Sequence, residues 1–160
     1  MDPFAQTELE RKLFDLSNLL NQPTKPRRRP KPRVYTQNVE VTKVMNEGDR
    51  GTCAAVAFSH AFGITYNEAL EVVTKHTNLD PKKGKGTSVE QYDRLLTLHG
   101  WKWHAAKGHL GKADLSQLPP RCIIRTARHV VACIEGKLYD QFETHRAAGC
   151  KNIKGYWAPI

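Results

Sequence analysis

The chain has 160 residues, enough for one domain with its own core and too few for two comfortable ones. Its 25 Lys and Arg against 16 Asp and Glu leave a net charge of +9, which favours contact with phosphate or acidic surfaces and says nothing about fold. No run of about 18 apolar residues occurs, and the first thirty residues lack the basic-then-apolar order of a secretory signal, so a soluble cytoplasmic protein without membrane association is expected.

Hydrophobic residues make up 39% and aromatics 8%, low enough that part of the chain is expected to lie outside the core. That part is the N-terminus. Leu9, Leu13, Leu16 and Leu20 recur at helical spacing with charged residues between them, which predicts an amphipathic helix over 5–21. Such a helix needs a surface to lie on, either its own domain or a second copy in a homodimer. From Pro23 to Arg33 there are four prolines and six basic residues, so an extended linker is predicted. It reads either as a solvated tether or as an electrostatic contact for nucleic acid or an acidic partner. The chain therefore divides into an arm, 1–33, and a domain, 34–160.

Within the domain, Val39, Val41 and Val44 suggest a strand or extended entry, followed by a Gly-rich turn from Gly48 to Gly51. Thr52 is placed to cap a helix that begins at Cys53 and stops at Gly63. Thr65 with Glu68 forms a capping box for a second helix, and Thr87 with Glu90 for a third that Gly100 closes. After Pro119 and Pro120 the pattern changes to short β segments: Cys122 to Thr126, His129 to Ile134, Lys137 to Phe142 and Gly155 to Trp157. Helices first and strands afterwards predict the α+β class, with N-terminal helices packed on a C-terminal antiparallel sheet.

The four cysteines, at 53, 122, 133 and 150, form no CxxC pair. They are expected to be free thiols, and neither a metal site nor a cofactor is indicated. Cys53 stands at a helix start, where unpaired N–H groups and the helix dipole favour a thiolate and can hold the oxyanion formed when a carbonyl is attacked. A small cysteine packed in an Ala-rich helix fits the same segment. A thiolate nucleophile needs a base, and seven histidines compete for that role. His60 lies on the cysteine's own helix, seven residues on; His76 and His99 sit near helix ends and read as surface residues; His104 and His109 flank a Gly-Lys loop. His129 opens an apolar strand, and a turn at Glu135-Gly136 returns Asp140 towards it. Nucleophile, base and orienter are thus assigned to Cys53, His129 and Asp140, against the alternative of a satisfied core histidine and a turn carboxylate.

The order of Cys at a helix start, His at a strand start and Asp on the next strand resembles the papain-like cysteine peptidases, particularly the bacteriocin-leader-processing branch. A closer resemblance, to small uncharacterised bacteriophage and mobile-element proteins, runs through Gly51-Thr-Cys-Ala-Ala-Val-Ala, Gly100-Trp-Lys-Trp103, the block from Arg128 to Asp140, and Gly155-Tyr-Trp157. It covers residues 44–158 and implies a papain-like fold with Cys53, His129 and Asp140 as triad positions. The chain departs from the family twice. Glu47, with Asn46 beside it, stands where papain-like enzymes carry an oxyanion-holding Gln, and Ala54 follows the nucleophile where bacteriocin-processing relatives have Gly. The resemblance implies a cysteine hydrolase acting on a protein or peptide, a host protein included, with deamidation and acyl transfer using the same groups. The alternative is an inactive member of the fold that binds a host protein or nucleic acid through its basic arm and through Lys82, Lys83, Lys85, Lys102, Lys107 and Lys112, with Trp101 and Trp103 offering stacking faces.

Overall fold

The computed structural model describes residues 39–41, 46–142 and 151–160. The expected helix over 5–21, the linker over 23–33, Val44, His145 and Cys150 lie outside them. Among the described residues three helices pack on one face of a six-stranded mixed sheet, an α+β arrangement.

The first helix, α1 (Cys53–Phe62), is built from small residues. Its Ala54, Ala55, Ala57 and Ala61 are buried with Val56, Phe58 and Ser59, so it is enclosed nearly all round. Side chains this small let its axis approach the sheet closely. It ends at Gly63, whose left-handed backbone (φ 65°) turns its N–H onto Ser59 O. The second helix, α2 (Tyr66–His76), opens on the expected capping box: Glu68 N–H donates to Thr65 Oγ1, and Thr65 N–H to Glu68 Oε2. The third, α3 (Val89–Leu98), is capped by Ser88 and not by Thr87, because Ser88 Oγ is the acceptor for Gln91 N–H at 3.2 Å. Its buried Tyr92, Leu95 and Leu96 form one apolar stripe.

The strands are β1 (Val39–Val41), β2 (Trp101–His109), β3 (Arg121–Thr126), β4 (Val130–Ile134), β5 (Lys137–Asp140) and β6 (Asn152–Pro159), in the order β1-β5-β4-β3-β6-β2. The expected all-antiparallel sheet is corrected at one edge, where β1 runs parallel to β5 with Val41 opposite Asp140. The expected loop from His104 to His109 is also corrected, since it continues the long strand β2, paired with β6. Trp101 and Trp103 are accordingly core aromatics of that strand; Trp101 stacks on Phe62 and Trp103 lies against Trp157. Central β3 and β4 are covered on both faces, which is why they read as nearly unbroken apolar runs. Ile123, Ala132 and Trp157 face the helices, while Cys122, Ile124, Val131, Cys133 and Leu138 join a second core beneath Leu110 and Leu115. The turn between β4 and β5 places Glu135 at φ 49° and Gly136 at φ 74°, the two left-handed residues that a tight hairpin requires. No helix of the described residues is long and apolar enough to cross a membrane.

Candidate active site

Cys53 is the first residue of α1, half-buried at the mouth of a cleft of about 270 Å³. The backbone before it is held tightly. Gly51 has φ 68°, and a Cβ there would come within 2.9 Å of Gly84 O, so a glycine is needed where this turn passes under the loop from Asp80 to Gly86. Arg50 N–H donates to Pro81 O at 3.0 Å. Buried Asp49 accepts from Lys82 Nζ and from the Tyr66 hydroxyl, each at 2.8 Å. The Lys82 ammonium, aided by the Tyr66 hydroxyl, holds the Asp49 carboxyl below its ordinary range despite burial. Burial, with Asp49 alongside, pushes the Tyr66 phenol up to about 12.

Thr52 does not cap α1 as expected. It is fully buried and makes no side-chain cap bond, and its side chain hydrogen-bonds the Tyr66 hydroxyl instead. The first-turn N–H groups of a helix have no intrahelical partners, so withholding the cap leaves them for another acceptor beside Cys53. Tyr92 supports the same end of α1 from α3, its hydroxyl donating to Ala54 O at 2.9 Å.

His129 lies one residue before β4 and does not open it, as the last of the three residues that join β3 to β4. Thr126 donates to His129 O through both its N–H, at 2.8 Å, and its hydroxyl, at 3.2 Å. The imidazole is 7% exposed, packs against the Phe142 ring, and donates from Nε2 to Asp140 Oδ2 at 2.6 Å. Asp140, 1% exposed at the end of β5, also accepts from Gln141 N–H. With Nε2 committed to Asp140, the other ring nitrogen is left for Cys53, which lines the same cleft and interacts with the imidazole. Burial alone would push the imidazole down; the bonds to Asp140 and Cys53 and the charges of both outweigh it and hold the group up at about 9. The structure thus brings Cys53, His129 and Asp140 together, from a helix start, a turn and a strand end.

The other expected participants lie elsewhere. Asn46 donates to Asn67 Oδ1 at 2.9 Å and also serves Asp49, Glu47 is exposed in a turn, and neither lines the cleft. His60 reaches β5, where its ring tilts on Tyr139 and it lies within the field of Asp140 and Glu40. Burial pushes its imidazole down, with those two carboxylates opposing. His99 is exposed, as expected, and sets its ring edge against Phe58 and Phe62. His76 bonds Val72 O, and His104 stacks on Tyr156. Sequence reasoning missed the set Asp49, Thr52, Tyr66 and Lys82, because nothing local links a turn, a helix start and a lysine loop. No family model, curated protein or solved structure matches this chain.

Proposed function

We propose that the chain is a papain-like cysteine hydrolase that cleaves an amide bond of a peptide or protein in the cytoplasm. The observation that carries this reading is the buried hydrogen bond between His129 and Asp140, with Cys53 sharing the cleft with the imidazole at an uncapped helix start. In the resting site the imidazolium pairs with the cysteine sulfur. The sulfur attacks the carbonyl carbon, a C–S bond forms, and the oxyanion is met by first-turn N–H groups of α1. The C–N bond then breaks and the amine leaves with the proton from His129. Water attacks the thioester with His129 as base, the C–O bond forms, the C–S bond breaks, and the acid departs. Asp140 keeps the ring oriented through both steps.

The test is turnover of a peptide library, with selective labelling of Cys53 by a thiol-directed electrophile. Cys53→Ala and His129→Ala should each abolish turnover, and labelling should require His129. Asp140→Asn should leave a measurable remainder of about one part in 10⁴ to one part in 10², because an orienter is less essential than the groups that react. A biological effect that survives Cys53→Ala undiminished would instead favour a basic binding protein built on the same fold.

A further inference from the structure

Beyond the reacting groups, the cleft has a one-signed lining. Arg125, half-buried near the end of β3, and Arg128, exposed in the turn just before His129, both line it, and no carboxylate does. Among the described residues neither arginine forms an ion pair with Asp or Glu. Arg125 is held in place by an aromatic ring, its guanidinium 5.9 Å from the centre of Trp103. On the third helix, Asp93 is engaged with a tryptophan of the sheet, accepting from Trp157 Nε1 at 2.7 Å. The same lining includes the apolar side chains of Val89, Tyr92, Val130 and Trp157.

Two guanidiniums beside a partly desolvated apolar wall are strong acceptor-seeking groups. An uncharged substrate would leave both without an anionic partner, whereas a carboxylate can take paired N–H donors from either. Arg128 also immediately precedes the base, His129, and both line the same cleft. Building on the hydrolase reading above, we infer that the site is selective for acidic peptide segments, with an Asp or Glu side chain beside the scissile bond held by Arg125 and Arg128.

The test uses the full chain and peptides that differ only at the residue beside the scissile bond: Glu, Gln or Lys. The Glu peptide should have a kcat/KM at least tenfold above the Gln peptide, with the Lys peptide lowest. Arg125→Gln and Arg128→Gln should each remove most of that preference, chiefly by raising KM for the Glu peptide, with melting temperature retained. In parallel, the Cys53→Ala protein should bind the Glu peptide at least tenfold more tightly than the Gln peptide, with a preference that fades as salt rises. This arm does not depend on turnover, so it separates failure of the selectivity from failure of the hydrolase reading. Equal binding and equal cleavage of Glu and Gln peptides would overturn the inference and leave the hydrolase standing. An oligonucleotide that displaces the Glu peptide and binds more tightly through the same arginines would overturn it in favour of a nucleic-acid surface.

Discussion

At the scale of single residues, His129 is the position where opposing effects are most evident. Burial disfavours its charge, yet the carboxylate on one nitrogen and the sulfur on the other hold the imidazolium up to about 9. An NMR titration of the ring should therefore show it protonated at neutral pH in the free protein. In Cys53→Ala the bond and the charge of the sulfur are both lost, and the midpoint should move down. A midpoint that does not move would mean that Asp140 alone sustains the shift. Expectation and structure agree on Asp140, because a tight hairpin returns a residue on β5 to the start of β4 whatever the rest of the chain does. The sequence left the oxyanion position open between Asn46, Glu47 and backbone N–H groups; neither side chain lines the cleft, since distance along the chain from Cys53 does not determine which way a turn faces.

At the scale of elements, the start of α1 is kept open by a contact from the next helix. The Tyr66 hydroxyl stands between Asp49 and Thr52 and occupies the threonine that would otherwise cap. Tyr66→Phe should cost about 1 kcal/mol in urea unfolding, the usual worth of a hydrogen bond. It should lower kcat several-fold, because a freed Thr52 hydroxyl competes with the oxyanion for the same N–H groups. Unchanged kcat with the stability loss intact would limit Tyr66 to a structural role. On the helix-facing side of the sheet, Gly155 of β6 lies beneath the Trp103 ring, and a Cβ there would sit well inside van der Waals contact. Gly155→Ala should destabilise by about 1–3 kcal/mol, as overpacking generally does. Circular dichroism melting should show that loss, and should show less of it in the double variant with Trp103→Leu.

At the scale of the whole molecule, two buried groups bound the pH range of stability from opposite sides. The folded-state value of His129, about 9, lies above the ordinary 6.5. Its contribution is therefore complete below about pH 6.5 and is lost as pH rises through about 9. Asp49 is held below its ordinary 3.8, mainly by Lys82, so its contribution is present above that value and is lost as pH falls through the lowered one. Melting temperature followed across pH should form a plateau between these limits and fall at both ends. Asp49→Asn should blunt the acid limb, and Cys53→Ala the alkaline one. An alkaline limb unchanged in Cys53→Ala would show that the cysteine does not contribute to the linkage.

The sequence by itself determined the three helices and the β4–β5 hairpin. Caps, apolar stripes and a glycine turn are set by hydrogen bonds and backbone preferences within a few residues, as at Thr65 with Glu68 and at Glu135 with Gly136. It also singled out the three residues of the candidate site, Cys53 by its helix start and His129 with Asp140 by the hairpin that returns one towards the other. Only the tertiary structure decided that residues 101–109 are a strand, because β2 is made by pairing with β6 and by burying Trp101 and Trp103. Tertiary structure likewise decided that β1 joins the sheet in parallel and that Thr52 gives its hydroxyl to Tyr66 instead of to its own helix. In each of these cases the competing partner is distant along the chain. Local propensity carries no record of which distant group will win.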